Sequence, residues 1–210
     1  MGKNRIFDAP RKAKGIRVTR LAAVAALALA LTACAAGRVA VRDPLDAAEH
    51  IRLAGIYEAK AAFPLALDEY IKAAEAGETN GGAWFSAGNM ALRLNRLDEA
   101  ETYYRKAIAI DPGSAVSYNN LGWLYMEKGE MDKAEAEVNE ALRLDPIRPY
   151  IYLDTLGVIA LRRKAYGAAA QYLNAAYGLV PETDADGGKE ISSHLRELDG
   201  LAGDKAKTAE

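Results

Sequence analysis

Small and apolar residues recur along this chain at a nearly constant spacing. Ala66, Ala100, Ala134 and Ala169 mark the period, with separations of 34, 34 and 35 residues. A period in this range predicts a stack of helix pairs, because a single pair cannot bury its own apolar face. We therefore expect an all-α solenoid that offers surface to partners more than a site for chemistry.

The small residues are expected where the two helices of a unit cross. A side chain at these positions would hold the backbones apart, so glycine stands on the first helix and alanine on the second. The residues concerned are Gly88, Gly122 and Gly157, with Ala100, Ala134 and Ala169 facing them. Proline cannot continue a helical hydrogen-bond ladder, so the second helices should end before Pro112, Pro146 and Pro181. Pro64 fits the first turn of a helix.

These positions resemble the tetratricopeptide pattern W-x2-L-G-x2-Y, then A-x3-F, then P. The third unit fits closely, with Tyr118, Leu121, Gly122, Tyr125, Ala134, Val138, Ala141 and Pro146. The first unit is weaker and lacks the closing proline. The resemblance covers residues 47–183. It implies a solenoid of about four helix-turn-helix repeats (about 47–80, 81–114, 115–148 and 150–183) within an array over 44–183, then a capping helix and polar tail over 184–210.

Local signals refine the ends of these elements. Asp43 and Pro44 form a helix start signal, a capping side chain followed by proline. The glycine pairs at 81–82 and 187–188 predict turns between helices. Ile191, Leu195, Leu198 and Ala202 have helical spacing, so residues 189–202 are predicted to form the cap.

The amino-terminal segment has the pattern of a secretory signal. Residues 1–33 carry seven basic residues and one acidic residue, and their apolar run at 21–31 is too short for an ordinary membrane-spanning helix. The sequence Leu31-Thr32-Ala33-Cys34 resembles the lipobox of bacterial lipoproteins. The resemblance implies cleavage after residue 33 and acylation of Cys34, the only cysteine, which leaves 34–43 as a lipidated linker. The alternative is a free thiol beside an uncut anchor.

Charge and composition narrow the function further. The whole chain has a net charge of −2, and removal of the leader leaves 20 basic and 28 acidic residues. Phosphate binding needs concentrated positive charge, so we expect no nucleic-acid partner. His50 and His194 are the only histidines, and neither has a metal-ligand partner at suitable spacing. We expect no enzymatic activity, no metal, no cofactor and no small-molecule substrate.

The resemblance implies that the first helix of each unit lines a concave groove for a protein or peptide partner. The groove positions carried over from the family are Ile51 and Gly55, Phe85 and Asn89, Asn119 and Trp123, Asp154 and Val158. Aromatic residues are enriched at binding hot spots, and an amide can pair with both groups of a peptide backbone. The alternative is that Phe85 and Trp123 pack against the cap or neighbouring repeats. Basic residues that would clamp a partner's carboxylate are missing from these positions.

A lipid-anchored repeat module of this kind looks like three groups of bacterial envelope proteins. The first group is the assembly lipoproteins of Tad/Flp or type IV pili, which includes the pilotins. The second is adaptors for peptidoglycan hydrolases, and the third is outer-membrane assembly scaffolds. We favour an adaptor in pilus or secretion-system assembly. Ala35 after Cys34 resembles an outer-membrane retention signal, which favours the periplasmic face of the outer membrane. A self-associating structural lipoprotein and a carboxylate-clamp co-chaperone are the alternatives.

Lipidation has a direct test. Mass spectrometry of the protein recovered from membranes should find Cys34 as the amino terminus, with acyl chains attached, because the leader ends at small residues before the cysteine. Recovery of a chain that keeps its whole leader and carries no fatty acid would contradict the prediction.

Overall fold

The computed structural model describes residues 43–77 and 80–207, with side chains described as far as residue 201. This part of the chain forms nine helices and no strand. They are α1 (Ala47–Ala59), α2 (Phe63–Ala76), α3 (Gly81–Arg93), α4 (Leu97–Ile110), α5 (Ala115–Glu127), α6 (Met131–Leu144), α7 (Pro149–Arg162), α8 (Tyr166–Leu179) and α9 (Ala185–Lys207). The predicted signal segment 1–33 and the lipidation site Cys34 lie outside the described residues.

The helices pack as consecutive pairs. α1 contacts α2, α3 contacts α4, α5 contacts α6, and α7 contacts α8, while each second helix also contacts the first helix of the next unit. The first helices α3, α5 and α7 touch their neighbours in the same series, and α9 packs on α8 and α7. The predicted all-α array of four helix pairs with a terminal helix is confirmed.

The predicted close crossings are present in three units. A Cβ built on Gly88 would lie 2.6 Å from the Tyr104 ring, and one on Gly157 would lie 2.5 Å from Leu173 Cδ2. A Cβ on Gly122 would overlap Val138 Cγ2. The facing alanines Ala100, Ala134 and Ala169 are completely buried. Helix contact in each unit therefore depends on the absence of a side chain at one position.

Three tyrosines fill the core between neighbouring units. The rings of Tyr104, Tyr125 and Tyr152 are at most 1 % exposed. Each hydroxyl donates a hydrogen bond, to Asn89 Oδ1 (2.8 Å), Glu101 Oε1 (2.7 Å) and Asp145 Oδ2 (3.0 Å) respectively. Burial raises the pKa of all three hydroxyls to about 12, so they stay protonated donors.

A charged cluster joins the second and third units. Lys128, at the end of α5, donates to Glu101 Oε2 on α4 at 2.7 Å, and Tyr125 and Arg105 donate to the same carboxylate. The hydrogen bond from Lys128 lowers the pKa of Glu101 to about 2 in spite of partial burial. The carboxylate therefore stays ionised and links α4 to α5 throughout the neutral pH range.

The start of α1 differs from the local sequence signal. α1 begins after Asp46 instead of Asp43, because Asp46 forms a capping box: its Oδ1 accepts from Glu49 N at 2.8 Å, and Glu49 Oε2 accepts from Asp46 N at 2.9 Å. The second helices do end before the prolines, at Ile110, Leu144 and Leu179. Pro64 lies in the first turn of α2, as predicted.

The prediction that the two glycine pairs form turns is wrong, because both lie in first turns of helices. Gly81 begins α3, where Asn80 Oδ1 accepts from Ala83 N at 3.2 Å. α9 begins at Ala185, four residues before the predicted 189, and Asp184 Oδ1 accepts from Gly187 N at 2.9 Å. A side-chain acceptor at a helix start stabilises the helix by roughly 1 kcal/mol, which offsets much of the helix penalty of one glycine. α9 also extends to Lys207, beyond the predicted end at 202.

None of the described helices combines the length and apolar character that crossing a membrane requires.

Replacement of Gly122 by alanine tests the crossing. The added Cβ would overlap Val138 Cγ2 and lie 3.1 Å from the Ala134 carbonyl oxygen, so we expect destabilisation of roughly 1–3 kcal/mol, measured by denaturant unfolding. Gly55→Ala is the matched control, because its Cβ would meet no atom within 4 Å, and it should stabilise α1 by up to about 1 kcal/mol. Equal or greater stability of Gly122→Ala would contradict the packing.

Candidate protein-binding surface

The predicted groove residues lie on the first helices of the four units, as expected. We call the side of α1, α3, α5 and α7 that carries them the groove face. Ile51 is exposed on α1, and Phe85, Asn89 and Trp123 are half-buried. Asn119, Asp154 and Val158 are 7–8 % exposed. The accessible predicted residues are therefore concentrated on α1, α3 and α5.

Trp123 on α5 separates two cavities of the groove face. The first has a volume of about 390 Å³ and is lined by Leu92, Asn95, Leu97, Asn120, Trp123 and Glu127. The second has a volume of about 380 Å³, extends from Asn119 and Trp123 to α7 and α9, and also contacts Asp154. An indole that borders two open cavities can contact a bound chain on either side. This placement makes Trp123 the best candidate for a hot spot.

The side chain of Asn89 is engaged within the array. Its Oδ1 accepts from the Tyr104 hydroxyl at 2.8 Å and from Asn120 Nδ2 at 2.8 Å. Sequence reasoning missed Asn120, because it lies one residue past the position that the repeat selects. Asn120 follows Asn89 by slightly less than one repeat period. This spacing could have indicated a hydrogen bond that runs diagonally between α3 and α5. The bond fixes the amides of α3 and α5 relative to each other.

The side-chain oxygen of Asn119, unlike that of Asn89, has no hydrogen-bond partner within the described residues. The residue is 8 % exposed, and its Oδ1 is the one fully buried side-chain oxygen or nitrogen without a hydrogen-bond partner in the described part of the chain. Of the two predicted amides, Asn119 therefore has the unused hydrogen-bonding capacity.

The packing alternative applies in part to Phe85. Its ring centroid lies 6.0 Å from that of Tyr104, and the ring contacts the buried core. The preceding residue, Trp84, is 8 % exposed, stacks on Tyr103 at 5.5 Å and is covered by Lys106 Nζ at 3.8 Å from the ring centroid. Phe85 thus supports the fold while part of its surface remains available.

The carboxyl-terminal end of the groove face is covered by α9. His194 Nδ1 lies 2.7 Å from Asp154 Oδ1, which joins α9 to α7. The hydrogen bond to Asp154 raises the pKa of His194 above its ordinary value, although burial acts in the opposite direction. Val158 belongs to the buried core at 8 % exposure, so little of its surface is accessible to a partner. The sequence did not show that the cap would seat on this unit.

His50 is packed inside the first unit. It is 1 % exposed, and its Nδ1 lies 2.6 Å from Glu69 Oε2. Burial of Glu69 raises its pKa, but hydrogen bonds from Lys72 and His50 outweigh burial and leave the pKa of this carboxyl lowered. The pair joins α1 to α2 and lies away from the cavities beside Trp123.

Comparisons with known proteins agree with this architecture. Family models described as tetratricopeptide repeat match residues 63–115 and 91–152. The chain is similar to the anaphase-promoting complex subunit CDC16 of Saccharomyces cerevisiae, 29% identical over 100 residues, which are 47% of this chain and 12% of that protein. It is also similar to the tetratricopeptide repeat-containing protein trd-1 of Caenorhabditis elegans, 30% identical over 71 residues, or 34% of this chain and 9% of that protein. The chain thus spans about a tenth of the length of these curated relatives.

Solved structures give longer matches. PilW, described as a widely conserved type IV pilus biogenesis factor, has a TM-score of 0.65 and 25% identity, over 75% of this chain and 70% of that chain. MamA has a TM-score of 0.57 and 18% identity, over 75% of this chain and 83% of that chain. The likeness to MamA shows the fold alone.

The His194–Asp154 bond predicts a pH-dependent attachment of α9. Because the folded-state pKa of His194 is raised, the stabilisation is complete below about pH 6.5 and is lost as pH rises through the folded-state pKa. Hydrogen exchange of α9, corrected for the intrinsic pH effect, should therefore show less protection at about pH 8 than at about pH 6, while α3, which has no histidine, serves as the internal reference. His194→Gln should remove this difference. An equal pH response in both proteins would contradict the assignment.

Proposed function

The chain is a tetratricopeptide-repeat protein, and we propose that it is a lipid-anchored adaptor that binds another envelope protein during pilus or secretion-system assembly. Tetratricopeptide repeats are protein–protein interaction scaffolds and are typically non-catalytic. The observation that carries the proposal is the position of Trp123 between two open cavities on the groove face.

The groove face has the composition of an interface centre. Trp123 and Leu92 supply apolar area, and the Asn119 amide has unused hydrogen-bonding capacity. Interface cores are enriched in aromatic residues, and a few such residues carry most of the binding energy. We infer that the occupant is a protein segment, extended or helical, that places apolar side chains against Trp123.

Three observations support the cellular role. The chain matches PilW, a type IV pilus biogenesis factor, at 25% identity over three quarters of its own length. Cys34 follows a leader with the features of a lipoprotein signal, which supports a lipid anchor. Ala35 after this cysteine supports the periplasmic face of the outer membrane. A tethered adaptor at this place would hold an assembly component close to the bilayer.

Truncation of Trp123 tests the adaptor. Full-length tagged chain is purified from detergent-solubilised envelopes, and the co-purified proteins are quantified by mass spectrometry. Trp123→Ala should weaken retention of pilus or secretion components by about 2 kcal/mol or more, because it removes the aromatic anchor. Leu65→Ala is the matched control, since it truncates an apolar residue on a second helix that is 49 % exposed, and it should retain them. Circular dichroism checks that both variants are folded.

The other outcomes separate the alternatives. Unchanged recovery with folded Trp123→Ala would contradict binding at the groove face. Recovery of peptidoglycan hydrolases instead of pilus or secretion components would contradict the pathway and favour the hydrolase adaptor. Sedimentation that depends on concentration, with no co-purified protein, would favour the self-associating structural protein.

A further inference from the structure

The cavity at the carboxyl-terminal end of the groove face is lined mainly by acceptors. α5, α7 and the start of α9 enclose about 380 Å³. Asp154, Asp184 and Glu190 bring three carboxylates to its wall, and Trp123 and Tyr150 bring two aromatic side chains. Asp184 and Glu190 are distant from Asp154 along the chain, and the packing of α9 on α7 brings them together.

One buried polar atom in this wall lacks a hydrogen-bond partner within the described residues. Asn119 lines the cavity, and its Oδ1 is buried without a partner. A buried polar atom without a partner destabilises the protein, so this oxygen needs a donor. The Glu190 carboxylate is exposed, so it is accessible to a donor that enters the cavity. Asp184 already accepts from the Tyr150 hydroxyl at 2.8 Å and from Gly187 N at 2.9 Å.

Positive charge at this wall is limited. His194 is the basic side chain that faces Asp154 and Glu190, and it is hydrogen-bonded to Asp154. Lys189 pairs with Asp186 at 3.0 Å and, with Arg196, lines a different cavity between α8 and α9. Even with His194 protonated, three carboxylates exceed one cation, and the cavity carries net negative charge.

We propose that this cavity binds the ammonium or guanidinium group of a lysine or arginine carried by the partner segment on the groove face. The inference rests on the proposed function, since the segment that contacts Trp123 delivers the basic side chain. Its N–H groups would donate to Asn119 Oδ1 and to the Glu190 carboxylate, and charge-assisted hydrogen bonds of this kind are among the strong ones. Aromatic side chains such as Trp123 add cation–π attraction.

A metal ion is the competing occupant. Asp154, Glu190 and His194 offer ligand atoms within 4.8 Å of one another. The Nδ1 atom of His194, however, is already engaged with Asp154 at 2.7 Å. A cavity of about 380 Å³ also falls in the range of roughly 300–1,000 Å³ that organic groups occupy. The geometry favours an organic cation.

Selection of random short peptides on the immobilised full-length chain, held in non-ionic detergent, tests the inference. The selected peptides should share a lysine or arginine at a fixed position beside apolar residues. Norleucine in place of that lysine should weaken binding of a synthetic peptide about tenfold, because the charge-assisted bonds are lost. Glu190→Gln should abolish the preference for the basic residue. Asp199→Asn is the matched control, an exposed carboxylate on the same helix, and it should preserve the preference.

Each possible result either supports or contradicts the binding of a basic side chain in this cavity. Peptides that depend on Trp123 but show no preference for a basic residue would overturn this inference and leave the proposed function standing. A failure to select any peptide that depends on Trp123 would count against both. Titration with Zn²⁺ alone distinguishes the metal: zinc binding that requires His194 and excludes the basic peptides would overturn the inference in favour of an ion.

Discussion

Close approach of the two helices in each unit is the constraint on which the rest of the structure depends. At Gly122 the backbone of α5 lies so near Val138 that a single added carbon would overlap it, and Gly88 and Gly157 repeat the arrangement. Backbones at this separation bury the facing alanines completely and bring Tyr104 into the core. The first helices are then held in register, and their remaining side forms the groove face.

Much of this architecture follows from the sequence, because the period reports packing directly. A glycine followed by an alanine at a fixed spacing, repeated three times, specifies a helix pair, and proline marks where the second helix ends. Helix starts were less predictable. Asp46 and not Asp43 caps α1, because Asp46 and Glu49 form reciprocal hydrogen bonds. The Asn80 side chain caps α3, so the glycine pair that follows it is helical.

The candidate site was predictable only to the level of a helix face. The repeat position selected Trp123, which does border open cavities, but it also selected Val158, which is buried in the core. Periodicity could not show that Asn120 bonds diagonally to Asn89, since a diagonal bond follows helix geometry more than the repeat length. Periodicity also could not show that Asp154 lies beside Glu190 and His194, because this proximity depends on how α9 packs against α7.

The groove face and the cap therefore have to be considered together. The same helix that closes the array contributes Glu190 to the cavity next to Trp123, and Asp184 at its start adds a second carboxylate, so apolar contact area and negative charge are adjacent. A partner segment that offers both an apolar and a basic side chain matches this arrangement. The acidic balance of residues 34–210, with 20 basic and 28 acidic residues, fits such a partner as well.

Photo-crosslinking in intact cells shows whether a partner occupies the groove face. A photoreactive residue is introduced at Glu127, on the rim of the groove face and 49 % exposed, or at Lys133 on α6, which is 60 % exposed. Binding at the groove face predicts a covalent adduct with another protein from position 127 and none from position 133. An adduct from position 133 alone would contradict it, because partners would then bind the second helices and not the groove face.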